Sequence, residues 1–138
     1  IQPLEQANKQ RGLEKYDHVW IKPHPGLALD PILKDLKPNF KFTIATQPII
    51  ELMEEADVVY CANSTGASLE AAWLGVPLII LAAMNSMNLN PLFGFPDMSF
   101  VKDCSELLTE LKNPKLIEIP EDYFFLDENL KFWEEILA

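Results

Sequence analysis

The eight residues VPLIILAA, at 76–83, contain no polar side chain, and no other feature constrains the fold of this chain as strongly. A strand with one wet face alternates apolar and polar residues, whereas a strand that is apolar throughout must be covered on both faces, as in a parallel sheet flanked by helices. The segments around it alternate to match. HVWIKPHP reads as a short buried strand stopped by prolines, and DPILKDLKPN as a helix with Asp30 as N-cap and Pro31 at its first position. KFTIAT is the next strand, followed by PIIELMEEA with Ile49, Leu52 and Met53 on one helical side. DVVYCA is a β-branched strand, STGASLEAAWLG a helix that closes on Gly75, and SFVKD a short edge strand. An opening helix in PLEQANKQRGL ends near Gly12, and CSELLTELKN and ENLKFWEEIL are amphipathic helices near the end. Strands and helices in alternation predict an α/β fold: a Rossmann-like open parallel sheet with helices on both faces and right-handed crossovers.

At 138 residues the chain suits one domain, 1–138. The net charge of −10 disfavours nucleic acid and anionic membrane as partners, since both are polyanions. Residues 104–138 hold nine acids against three lysines, which reads as a solvated outer face. Cys61 and Cys104 have no metal-ligand spacing and are expected as reduced structural thiols in a cytoplasmic setting. No stretch approaches the roughly eighteen apolar residues of a membrane span. The chain opens on Ile1 rather than Met, and we expect a fragment with a partner domain upstream.

In an open parallel sheet, ligands bind beyond the carboxyl ends of the strands, so the loops that follow strands carry the chemistry. Asn63, Ser64, Thr65 and Gly66 lead straight into a helix whose first amides lack internal partners, a place where phosphate binds without a lysine. Gly66 would admit the phosphate to the backbone, and Ser64 and Thr65 could donate from their hydroxyls. The plainer alternative makes Ser64 or Thr65 an N-cap. Glu70, one turn further, is the sole charge between Asp57 and Asp97 and could accept hydrogen bonds from ribose hydroxyls beyond the phosphate. Its alternatives are an exposed face shared with an outward Trp73, or a pair with Lys22. His24, held between Pro23 and Pro25, could donate to a phosphate oxygen, whereas His18 precedes its strand and lacks such a setting. Gln47, Pro48 and Ile49 open a helix where a base could lie, or are simply a helix start. Asn85, Ser86 and Asn88 could touch sugar or base. No Walker lysine, HExxH, paired-cysteine or GxGxxG motif occurs, and we expect neither a metal nor a cofactor.

With these residues in view, ADVVYCANSTGASLEAAWLGVPLII resembles the C-terminal, nucleotide-sugar-binding half of GT-B glycosyltransferases: strand, small polar turn, helix with a Glu-Ala pair, then Gly-x-Pro and a buried strand. KPHP together with NST is similar to the His-Pro and Ser/Thr motifs of bacterial transferases that build capsule and lipopolysaccharide, sialyl- and Kdo-transferases among them. The resemblance implies that His24, Ser64 and Thr65 bind the donor phosphate and Glu70 the ribose. The donor would be a CMP-, UDP- or GDP-linked sugar. A missing domain would supply the glycan or lipid-linked acceptor, and the rest of the protein any peripheral attachment to the inner membrane. Retaining members carry an E-x7-E pair whose first acid falls on Ala62, so the resemblance implies an inverting enzyme. Two other readings stay open. One is a relative of UDP-N-acetylglucosamine 2-epimerases, although their characteristic loop is replaced here by MNSMNLNPLFGF; the other is a noncatalytic α/β module whose acidic C-terminal helices bind a protein.

Overall fold

A computed structural model describes residues 2–26, 29–36, 39–82, 87–120, 123 and 131–137. The elements run α1 (Gln2–Lys9), β1 (Trp20–Ile21), α2 (Leu29–Leu36), β2 (Thr43–Ile44), α3 (Ile49–Glu54), β3 (Val59–Ala62), α4 (Ala67–Trp73), β4 (Leu78–Leu81), β5 (Ser99–Val101), α5 (Cys104–Lys112) and α6 (Lys131–Leu137). Every strand pair is parallel. β4 lies between β3 and β5, with Val59 opposite Leu78 and Ile79 opposite Ser99, while β1 pairs with β2 through Trp20–Thr43 and Ile21–Ile44.

The apolar run supplies the central strand, β4, for the reason its composition suggests. Leu78, Ile79 and Ile80 are fully buried. Because successive residues of a strand face opposite ways, Ile79 joins Ala7 of α1 and Leu107 and Leu111 of α5, while Leu78 and Ile80 join Met53 of α3 and Ala71 and Ala72 of α4. The three-stranded sheet therefore has helices on both faces. Each such side chain contributes about 1.5–3 kcal/mol through burial. β5 takes the edge, as expected of SFVKD.

The single sheet expected from the sequence is divided in two. Among the described residues no ladder joins β1 and β2 to β3, β4 and β5. Pro23 ends β1 after two residues, since proline brings no amide to a ladder, and Thr43 and Ile44 of β2 are both exposed. Trp20 and Ile21 are half-buried, so β1 is less enclosed than the sequence suggests. Val19, Phe42, Val58 and Tyr60 nevertheless pack on the same core cluster, so the two sheets share one interior.

Helix ends follow their local chemistry with two adjustments. Asp30 and Pro31 lie second and third in α2 rather than at its cap and first position; the first turn tolerates proline because its amides lack internal partners. α1 closes through Arg11 at φ 61°, and Gly12 donates to the Ala7 carbonyl at 2.8 Å. A Cβ on Gly12 would run into the Leu108 side chain and lie 3.1 Å from that carbonyl oxygen, so the close approach favours glycine there. Gly75 follows α4 at φ 68°, the left-handed residue that the sequence places after this helix. α5 starts on Asp103, whose carboxylate accepts from the Glu106 amide at 3.0 Å, while the Glu106 carboxylate accepts from the Lys102 amide at 2.8 Å. No helix among the described residues is long and apolar enough to cross a membrane.

Candidate functional site

The chain leaves the carboxyl end of β3 into the turn 63–66. Asn63 is 7% exposed; its Nδ2 reaches the Met87 carbonyl at 3.5 Å, and its Oδ1 is enclosed without a hydrogen-bond partner. Thr65 Oγ1 accepts from the Ala67 amide at 3.3 Å. Gly66, not Ser64 or Thr65, holds the N-cap position of α4, and no side chain caps it. A Cβ on Gly66 would meet nothing within 4 Å, so the outside of the turn is open there. Ser64 is exposed.

Helical spacing then sorts the residues of α4. Ser68, Ala71 and Ala72 face inward, and Glu70 and Trp73 face out, Trp73 at 61% exposure. Glu70 thus lies on an exposed face shared with Trp73, a placement that leaves its carboxylate open to a ligand. The pairing with Lys22 does not hold, because Lys22 Nζ donates instead to the carbonyls of Thr46 at 3.1 Å and Gln47 at 2.6 Å. That contact ties the end of β1 to the end of β2.

His24 is exposed, and its Nδ1 accepts from the Gly26 amide at 3.1 Å. An acceptor Nδ1 carries no proton, so the neutral ring keeps its hydrogen on Nε2 and presents that nitrogen as a donor. His18 instead stacks at a tilt on Trp20, ring centres 4.9 Å apart. Gln47 is exposed and folds back, its Oε1 accepting from the Thr46 amide at 3.1 Å. Pro48 is the N-cap of α3, and Ile49 packs partly into the core. Asn85 and Ser86 lie outside the described residues. Asn88 accepts from the Asn90 amide at 3.0 Å, a local turn contact.

The structure therefore yields two groups at strand ends: His24, Lys22 and Gln47 after β1 and β2, and residues 63–66 with Glu70 after β3. No hydrogen bond joins the two groups among the described residues. α3 and α4, the helices that follow them, pack in one core cluster. Two residues that sequence reasoning missed support the second group, Ser68 and Asn90, which are buried and hydrogen-bonded to each other and to the turn. Ser68 was recoverable, since it shares the i, i+3, i+4 face of Ala71 and Ala72; Asn90 was not, since its partners are 22 and 27 residues away.

β3 also carries two perturbed acids. Burial pushes the half-buried Cys61 thiol up to about 12, and burial followed by the neighbouring Cys61 pushes the Tyr60 phenol up to about 12. Unfolded, they would ionise near 9.0 and 10.0. Both are neutral in both states below pH 9, where their contribution to stability is complete. As pH rises from about 9 toward about 12 the unfolded chain loses protons first, and stability falls. The urea midpoint should drop across this window and drop less in Cys61→Ala; equal pH dependence in the two proteins would contradict the burial of the thiol.

A cavity of about 670 Å³ lies at the opposite end of β1 and β2, lined by Tyr16, Asp17, His18, Phe40, Lys41 and Phe42 among others. These residues precede their strands, so the cavity is remote in sequence from the loops that parallel sheets use for ligands. No group of three or more His, Cys, Asp or Glu side chains that could hold a metal ion occurs among the described residues. Compared with family models, with curated proteins and with solved structures, the chain finds no match in any of the three.

Proposed function

We propose that this chain is the donor-binding domain of an inverting, metal-independent glycosyltransferase of surface-polysaccharide synthesis, organised like the C-terminal half of a GT-B enzyme. The observation that carries the reading is the turn 63–66. It leaves the end of a parallel strand whose neighbour is buried on both faces, its outside is open, and an exposed carboxylate follows one helical turn later. In this reading Ser64, Thr65 and Gly66 bind the donor phosphate, assisted by Asn63, and Glu70 accepts from the ribose hydroxyls. His24 gives its Nε2 proton as a hydrogen bond to the phosphate, stabilising the departing nucleotide as the sugar bond breaks. Gln47 and the Ile49 backbone meet the base. The acceptor and the general base belong to another domain, so the chain alone binds nucleotide without turnover. The enzyme would work in the cytoplasm, at the inner membrane through its other parts.

A second reading, a noncatalytic module that docks a protein, is favoured by α6, where Trp133, Ile136 and Leu137 are 60–79% exposed. Calorimetric titration with CMP, UDP, GDP and ADP separates the two. The donor-binding reading expects one nucleotide to bind best, with millimolar affinity or better. Absence of binding by all four at millimolar concentration would falsify it and leave the docking module.

A further inference from the structure

The loop after β4 returns to the turn after β3 through one buried side chain, Asn90. Its Nδ2 donates to the Asn63 carbonyl at 3.3 Å and to Ser68 Oγ at 3.1 Å, and its Oδ1 accepts from the Leu92 amide at 3.0 Å. Ser68 Oγ has one proton and gives it to the Thr65 carbonyl at 3.0 Å, a better partner than Asn90 Oδ1 at 3.5 Å. Two carbonyls of the turn, those of Asn63 and Thr65, are thereby drawn to the interior.

Planarity carries the consequence outward. No peptide bond among the described residues is cis, and in a trans peptide the N–H points opposite to the C=O. With the carbonyls of Asn63 and Thr65 turned in, the amides of Ser64 and Gly66 turn out, and neither has an acceptor among the described residues. Both are donors, beside a Ser64 hydroxyl that is also exposed, which suits the oxygens of a phosphate.

We infer that Asn90 is the positioning residue of the donor phosphate: it touches no ligand, but fixes the peptide planes that aim the Ser64 and Gly66 amides. The inference rests on the donor-binding reading above. Asn90→Asp keeps the acceptor for the Leu92 amide and removes both donations, while Ser68→Ala removes the other support and leaves Asn90 in place. The probes are the best-binding nucleotide of the four and its nucleoside, competed against each other on wild type and each variant, with folding checked by circular dichroism.

Asn90→Asp is expected to lose about tenfold or more in nucleotide affinity and little in nucleoside affinity, so the advantage conferred by the phosphate collapses. Leu107→Ala, which loosens the other core face, should preserve that advantage, a distinction that general destabilisation cannot produce. A folded Asn90→Asp with the wild-type ratio overturns the inference while the donor-binding reading stands. Should Asn90→Asp not fold, Asn90→Ala, which removes the same two donations without placing a charge in the core, decides in the same way: a reduced ratio supports the inference and an unchanged one overturns it. Wild type that binds no nucleotide overturns both.

Discussion

Truncating Ile79 to alanine should lower the unfolding free energy by about 2–5 kcal/mol, read as a shift of the urea midpoint at constant slope. Ile79 is fully buried in the middle strand of the three-stranded sheet, between the ladders to Tyr60 and Ser99. It packs in the cluster that α1 and α5 share with the sheet, so the lost methyls leave a gap bounded by several elements that cannot all close over it. Domains of this size are stable by only about 5–15 kcal/mol, so one truncation removes a large part of the margin. Ile44→Ala is the comparison: the same change on β2, at 41% exposure, should cost below about 1 kcal/mol. Equal effects at the two positions would contradict the assignment of β4 as the centre of the core.

Glu70→Ala should leave stability within about 0.5 kcal/mol and weaken ribonucleotide binding roughly 10- to 100-fold, the range of a hydrogen bond to a charged group. The first half follows from exposure, since an outward carboxylate without an ion pair among the described residues supports nothing in the fold. The second follows from the proposed ribose contact. A 2′-deoxynucleotide should bind wild type more weakly and lose less on Glu70→Ala, because part of the contact is already missing. Ribo- and deoxyribonucleotide affinities that respond equally to Glu70→Ala would assign the carboxylate another role.

Those two residues also mark how far the sequence could be read. The missing alternation at 76–83 was enough to place a strand covered on both faces, and Gly75 was enough to end α4, because each signal is local and has one physical solution. The division of the sheet was not legible. HVWIKPHP and KFTIAT have strand composition, but whether an edge pairs depends on what lies beside it, and the prolines cut β1 to two residues. That Glu70 stands outward and not against Lys22 was decided by where Ser68, Ala71 and Ala72 point and by Lys22 being held at the Thr46 and Gln47 carbonyls. Asn90 was beyond reach for a different reason. A buried polar residue in a loop looks like any other loop asparagine until the fold brings its partners to it.

If the loop ends of the parallel strands form a nucleotide site, backbone amide chemical shifts under nucleotide titration will locate it. Saturable shifts should gather at Ser64, Thr65, Gly66 and Glu70, with His24 and Gln47 joining them. Shifts gathered instead at Tyr16, His18 and Phe40 around the opposite cavity, or no saturable shift at millimolar nucleotide, would contradict the account.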